Sequence, residues 1–330
     1  MKSIALKLKP LSGPRLAFQN ELPRSDTVFG AIVWGMRDLG ENPGEFLGLY
    51  NGKSPPLVVS SVFPCIYKKD EKDNDVPPPI PLLPKPMYMV PGGEEFKDRK
   101  EYADYKKRKK ARWLKPEEFN EAIKTGSLPL ELEKYASLGK DYRDFERPRV
   151  KIPRLGGETE LFHQKLFVVP CAWLALRGED EWLNKAKAAL KLIGERGLGG
   201  GITYGVGCFD IEDMEPPFKE VPDGNAWISL SLYYPKPEEW KAVRENPLSA
   251  YKVEYRKGRV DASRVPGGTN IFKRPVLYMA EGSVLPWLEN PMPGQNPMVT
   301  PEGKNKPDFS VFAQGVTLAV RAKKEAKSET

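Results

Sequence analysis

The sequence is poor in histidine and cysteine, the residues on which most metal sites and disulfide frameworks depend. Its 330 residues contain one histidine, His163, and three cysteines, Cys65, Cys171 and Cys208. No C-x-x-C spacing occurs, and an odd number of widely separated cysteines argues against a zinc site or a disulfide framework. We therefore expect buried apolar thiols in a reducing compartment, and neither a metal nor another cofactor.

Long hydrophobic runs are also missing. No segment approaches the roughly 20 apolar residues that a membrane-spanning helix needs. The N-terminus, MKSIALKLKP, alternates apolar and polar residues and lacks the apolar centre of a signal peptide. We therefore expect a cytoplasmic protein with no membrane partner. A hydrophobic fraction of 40% is nevertheless enough for folded cores.

Catalytic patterns are absent as well. The carboxylates do not cluster as a metal site would require, and no Ser-His-Asp arrangement can be placed, so we expect no enzyme. His163 could serve as a single acid or base, contact RNA, or have only a structural role. The net charge of +7 and the pI near 9.0 favour an anionic partner, with nucleic acid first.

Hydrophobic periodicity predicts an α+β fold whose first unit spans 1–215. Apolar residues alternate in strands and recur at helical spacing in helices. The predicted elements are a strand over 4–8, a helix from Ser25 or Asp26 to about Gly40, strands at 57–63 and 165–169, a helix at 180–196 and a strand at 206–211. We expect Gly30 and Gly35 to allow close packing of the first helix. This order, interrupted by a long insertion at 64–150, is ferredoxin-like (RRM-like).

A second, less regular ferredoxin-like unit is predicted over 216–320. A proline-rich linker near 215–222 precedes it. Its predicted elements are strands around 228–234, 253–255, 275–279 and 315–320 and a short helix at 237–244. We expect the tail, 321–330, to be disordered.

A cluster of glycines at 197–207, GLGGGITYGVG, is the most informative motif. It follows a helix and precedes a strand, the reverse of the P-loop and dinucleotide motifs, and neither spacing fits. Glycine permits positive φ, so backbone N–H groups here could cradle an anion. The alternative is a glycine helix cap followed by a mobile loop.

Three basic groups accompany this loop. In the insertion, Tyr102, Tyr105 and Trp113 lie among lysines and arginines, a pattern that can stack bases and pair phosphates. The other groups are Arg147, Arg149, Lys151 and Arg154 before two glycines, and Lys273 with Arg274. For each group, an ordinary solvated loop or strand remains the alternative.

Four segments together resemble the RAMP superfamily of CRISPR interference proteins. They are SDTVFG at 25–30, LVVSSVFP at 57–64, the glycine loop, and RPVLYMAEGSVL at 274–285. The first and last are most similar to the type III-A Csm subunits that cap the 5′ end of the guide RNA. One departure is Gly201-Ile202-Thr203-Tyr204, where an arginine or lysine often follows the glycine pair in the superfamily.

The resemblance implies a non-catalytic RNA-binding subunit for antiviral defence that grips the repeat-derived 5′ handle of the guide RNA. It also implies docking to a large polymerase-like subunit and a backbone RAMP subunit, and a thumb-like role near target RNA for the 64–150 insertion. The predicted RNA contacts are Ser12, Gly13, Arg15, Arg24, Ser25, Asp26, Thr27, Arg149, Lys151, Arg154, His163, Lys165, Gly199, Gly200, Gly201, Ile202, Thr203, Tyr204, Gly205, Lys273, Arg274, Gly282 and Ser283. The alternatives are a metal-independent endoribonuclease that processes guide-RNA precursors, with His163 as its base, and a scaffold that binds only proteins.

Overall fold

A computed structural model describes residues 1–52, 54–67, 78–88, 99–129, 143–153, 156–288, 292–307 and 309–324. The α-helices of these residues are α1 (Ser25–Asp38), α2 (Pro43–Gly48), α3 (Arg99–Lys110), α4 (Pro116–Thr125), α5 (Asp180–Arg196) and α6 (Pro237–Glu245). The strands are β1 (Lys2–Pro10), β2 (Leu16–Gln19), β3 (Leu57–Val59), β4 (Phe63–Ile66), β5 (Ile80–Pro81), β6 (Leu83–Pro84), β7 (Trp113–Leu114), β8 (Arg143–Lys151), β9 (Glu160–Val169), β10 (Ala172–Gly178), β11 (Phe209–Met214), β12 (Ala226–Ser229), β13 (Val253–Arg256), β14 (Val276–Met279), β15 (Val284–Pro286) and β16 (Ala319–Ala322). The predicted mixture of helices and antiparallel sheet is therefore confirmed.

The largest sheet carries helices α1 and α5 on one face. Its strands are ordered β11-β1-β10-β4-β5, with β3 also paired to β10, and every pairing is antiparallel. Leu6 and Leu174 are register partners, and both lie in the core beneath the helices. Their strand neighbours, Ala5 and Trp173, lie in a second core on the other face, as the two-residue period of a strand requires.

The second core joins the two halves of the chain. It contains Phe119 and Ile123 of α4 together with residues of β12 and β16. The N–H of Lys323 donates to the Ile123 carbonyl at 2.7 Å. Arg177 of β10 crosses this junction and donates to the Ala319 carbonyl at 2.8 Å and to Glu220. Part of the 64–150 segment thus packs into a core shared with the C-terminal half.

The third strand of the main sheet is not the predicted one. The segment 165–169 belongs to β9, which pairs with β2 and β8 in a separate three-stranded sheet. The third strand is instead β10, AWLALRG, which the sequence analysis did not predict and which is buried along its whole length. A strand covered on both faces shows no alternation of polar and apolar residues, so periodicity could not identify it.

The C-terminal half contains a sheet ordered β15-β12-β16 and a separate ribbon of β13 and β14. The predicted helix at 237–244 is α6, and the predicted strands at 253–255 and 275–279 are β13 and β14. The predicted disorder of the tail is wrong at its start, because Arg321 and Ala322 belong to β16 and pair with Trp227 and Ala226 of β12. Residues 325–330 lie outside the described residues.

Of the two glycines expected to mediate close packing in α1, one does so. A Cβ atom on Gly35 would lie 3.0 Å from the Cβ of Ala189 in α5, so the contact between the helices depends on the missing side chain. Gly30 has no atom within 4 Å of the same position, and the prediction is wrong there. Among the described residues, no helix combines the length and apolarity needed to cross a membrane.

Candidate nucleic-acid interface

The glycine loop, residues 197–207, is a closed structure anchored at its base. The N–H of Leu198 donates to the Gly207 carbonyl at 2.9 Å, and the N–H of Gly207 donates to Ala17 of β2 at 2.8 Å. The Leu198 side chain is fully buried. Gly199 and Gly201 have φ values of +88° and +77°, which favour glycine. The loop is therefore held against β2 and is more than a helix cap.

The loop presents a row of backbone donors. The N–H groups of Gly199, Gly200 and Gly201 donate to no carbonyl or side chain within the part of the chain that the structure describes. Gly199 and Gly200 line an open pocket of about 270 Å³, here named the loop pocket. Its lining consists of Phe18, Gln19, Asn20, Glu21, Leu22, Pro23, Arg24, Thr27, Leu198, Gly199, Gly200 and Arg256. Successive free N–H groups beside a cavity suit the oxygen atoms of an anionic ligand.

The tip of the loop is exposed and lies beside the ribbon formed by β8 and β9. Ile202, Thr203, Tyr204 and Gly205 are exposed there. The Arg149 guanidinium of β8 stacks 4.6 Å from the centre of the Tyr204 ring. An exposed aromatic ring with a stacked cation can receive a nucleobase and its phosphate. The structure thus brings Arg149 to the predicted glycine-loop residues.

The ribbon separates the other predicted cations. Because opposed residues of an antiparallel pair share a face, the pairs Arg149–Phe162 and Lys151–Glu160 lie on one side. His163, opposite Pro148, and Lys165, opposite Glu146, lie on the other side. The structure therefore does not bring His163 and Lys165 to the glycine loop. Arg154 lies outside the described residues.

The predicted contacts at the start of α1 are largely used inside the protein. Arg24 donates to Glu281 with its Nε atom at 3.0 Å and with a second nitrogen. Ser25 is fully buried and its hydroxyl accepts the N–H of Leu232 at 3.0 Å. The prediction that Ser25 contacts RNA is wrong for this reason, and Arg24 lacks a free charge for a phosphate.

Asp26 is held by a cation from the C-terminal half. Its carboxylate accepts two bonds from Arg256 of β13, at 3.0 and 3.2 Å. Arg256 also pairs with Glu21 at 2.9 Å. Asp26 is thus a structural anchor, whereas Thr27 lines the loop pocket, and its contact with RNA stays a prediction.

Two of the four late predicted contacts are buried. Gly282 and Ser283 are both inaccessible, and the Ser283 hydroxyl donates to the Ala280 carbonyl at 2.6 Å. The prediction that these two residues contact RNA is wrong because their surroundings are filled. Arg274 lies 3.3 Å from Glu302. Burial lowers the pKa of the Lys273 ammonium.

The loop between β1 and β2 contains Ser12, Gly13 and Arg15, which are all exposed. It leads directly into β2, whose Ala17 carbonyl anchors the glycine loop. Their contact with RNA stays a prediction. Among the described residues, no group of three His, Cys, Asp or Glu side chains could hold a metal ion. Cys65 and Cys171 are buried as expected, whereas Cys208 is only half-buried.

Three residues of this surface were missed from the sequence: Gln19, Gln164 and Arg256. Gln19 and Arg256 line the loop pocket. Gln164 of β9 is buried beside Gly201 and accepts a long hydrogen bond of 3.4 Å from Nε of Arg149. Gln164 stands two residues before the apolar Leu166 and so lies on the same face of β9. This position was the one sign in the sequence that Gln164 is buried.

The chain is similar to known proteins in sequence and in fold. The family model described as the CRISPR Csm4 C-terminal domain matches residues 222–321, which include β12 to β15 and most of β16. The chain is therefore Csm4-like. A relative from Thermococcus onnurineus (strain NA1), "CRISPR system Cms protein Csm4", is 26% identical over 270 residues, covering 75% of this chain and 81% of its own.

Solved structures match the Csm4-like chain along nearly all of its length. A chain in a crystal structure of a Csm1–Csm4 cassette in complex with cA4 has a TM-score of 0.61 at 18% identity, with 98% of this chain and 100% of that chain covered. A chain in a crystal structure of a Csm3–Csm4 subcomplex of the type III-A interference complex has a TM-score of 0.57 at 16% identity, with 96% and 99% covered. At such identities the likeness is one of fold.

Proposed function

We propose that this Csm4-like chain is an RNA-binding subunit of a type III-A effector complex and grips the 5′ handle of the guide RNA. The observation that carries the proposal is the row of free N–H donors at Gly199, Gly200 and Gly201. Gly199 and Gly200 line the loop pocket, and the same loop carries the exposed Tyr204 ring. Such a surface suits single-stranded RNA, whose phosphates and unstacked bases are both accessible.

We assign the N-terminal part to a ferredoxin-like unit. The chain order β1-α1-β3-β10-α5-β11 is the β-α-β-β-α-β order of that fold, and both helices pack on one face of the sheet. A second ferredoxin-like unit at 216–320 stays a prediction. So does the thumb-like contact of the 64–150 segment with target RNA.

The proposed protein partners are counterparts of the subunits found with the matched chains. Those structures are described as complexes of Csm4 with Csm1 and with Csm3. We propose that this chain links a large polymerase-like subunit to a backbone RAMP subunit in the same way. No catalytic role is proposed for it.

The endoribonuclease alternative depends on His163. This side chain lies on the ribbon face opposite the one that Arg149 and the glycine loop share. An RNA bound along the loop would therefore not meet the imidazole. Loss of precursor cleavage in His163→Ala would support the enzyme and overturn the non-catalytic proposal.

The test is purification of the tagged chain, co-expressed with its genomic neighbours, followed by sequencing of the bound RNA. Small RNAs sharing one repeat-derived 5′ end support the proposal, and partner proteins without RNA support the scaffold alternative. Gly199→Asp adds a negative charge beside the donors and should abolish RNA recovery. Gly268→Asp is the matched control, because Gly268 has a similar φ of +79° and open surroundings on another loop.

A further inference from the structure

Gln164 carries an amide donor that the protein does not use. The residue is only 5% exposed, and its Nε2 atom has no hydrogen-bond partner within the described ranges. Its Oε1 atom accepts from Arg149. Because a guanidinium can only donate, the amide atom that faces Arg149 must be the oxygen, and the other atom must be the nitrogen. The free donor is thus Nε2, and a Cβ atom on Gly201 would lie 3.2 Å from it.

A buried donor without a partner is costly, so its position calls for a physical reason. Arg149 donates to the amide oxygen and at the same time stacks on the ring of Tyr204, a residue that is 51% exposed. The bond from Arg149 to Gln164 is long at 3.4 Å and therefore weak. Arg149 can leave both neighbours at a small loss. Its departure would free the amide oxygen of Gln164 and one face of the Tyr204 ring.

We infer that Gln164 and Tyr204 form a site for one nucleobase, which Arg149 occupies in the RNA-free protein; this rests on the proposed function. The base takes the place of the guanidinium on the Tyr204 ring. The freed amide then offers an acceptor and a donor side by side, which matches the edge of a nucleobase. A phosphate would be repelled by the amide oxygen, so the base is the fitting ligand. The displaced Arg149 turns to the phosphodiester.

The test is a binding comparison by fluorescence anisotropy on the full chain. The probe is a labelled synthetic RNA with the 5′ sequence of the guide RNA recovered from the complex, and a set of copies each with one abasic nucleotide. For the wild-type chain, one abasic position should lower the affinity about tenfold. Gln164→Leu should bind the intact RNA about tenfold more weakly than the wild type. An abasic nucleotide at that position should not lower its affinity any further.

Two further variants separate the site from a structural role. Tyr204→Phe keeps the stacking ring and should bind like the wild type, whereas Tyr204→Leu should behave like Gln164→Leu. The melting temperature of Gln164→Leu should be unchanged or raised, because the substitution removes a buried unpaired amide.

Equal effects of every abasic RNA on the wild type and on Gln164→Leu would overturn the inference. Undiminished binding of intact RNA by Gln164→Leu would do the same. If the wild-type chain binds none of the RNAs, the proposed function itself fails, and this site fails with it. The two failures are therefore distinguishable.

Discussion

Replacing Glu281 with glutamine should destabilise the contact between the two halves of the chain. The Glu281 carboxylate accepts two bonds from Arg24 and one from the Ser61 hydroxyl. The side chains of Arg24 and Glu281 are only 15% and 11% exposed. Removing one partner of such a pair leaves a buried charge uncompensated, which costs about 3–5 kcal/mol. Glu254, 3.7 Å from Arg24, retains part of the compensation, so we expect about 3 kcal/mol.

Equilibrium unfolding in urea measures this loss. With a slope of about 3 kcal/mol per molar, the midpoint should fall by about 1 M. Asp213→Asn is the matched control. Its ion pair with Lys187 is at the surface, with the Asp213 side chain 71% exposed, and its loss should cost under about 1 kcal/mol.

A double variant makes the reasoning refutable. Arg24→Met combined with Glu281→Leu removes both charges, so it should be less destabilised than Glu281→Gln alone. If the losses measured in Arg24→Met and in Glu281→Leu simply add in the double variant, the buried-charge argument is wrong. A loss below about 1 kcal/mol in Glu281→Gln would refute it as well.

Three other perturbations test the packing, the electrostatics and the RNA proposal. Gly35→Ala should destabilise the chain because Ala189 blocks the new methyl group, whereas Gly30→Ala, with open space, should stabilise α1 by about 0.5–1 kcal/mol in thermal unfolding. Hydrogen bonding by Arg264 lowers the pKa of Asp38. Asp38 therefore stabilises the fold fully above its ordinary pKa of about 4, and this stabilisation is lost as the pH falls below that value. The difference in urea midpoint between the wild type and Asp38→Asn should shrink accordingly on acidification. The logarithm of RNA affinity should fall with the logarithm of salt concentration by about 0.7 per phosphate neutralised, and a slope near zero in anisotropy titrations would contradict a basic RNA surface.

The helices and outer strands could be predicted from the sequence because each has one buried side. The predicted helix at 180–196 coincides with α5. The helix α1 begins at Ser25, but neither Ser25 nor Asp26 is its N-cap as predicted, because Arg24 holds that position and makes no side-chain cap hydrogen bond. The strand β10 could not be found, because both of its faces lie in cores. Its burial depends on the second core, which segments distant in the sequence complete.

The candidate site shows a similar division. Glycine composition alone located the loop at 197–207, because such backbone freedom is local. The positions of charged residues in the sequence do not reveal their partners: Arg24 pairs with a residue 257 positions away and Asp26 with one 230 positions away. Gln164 carries no charge and belongs to no motif. Only the fold shows that it faces the loop.

The ion pairs around the loop pocket also limit how it can bind RNA. Its two arginines, Arg24 and Arg256, are both engaged by carboxylates, so its wall presents little unpaired positive charge. Recognition there should therefore depend on the backbone donors of the glycine loop. Glu281→Gln would release part of the Arg24 charge, and this variant should bind unrelated single-stranded RNA more tightly while it unfolds more easily. Anisotropy with a scrambled RNA measures this, and unchanged affinity would show that the Arg24 charge does not reach the pocket.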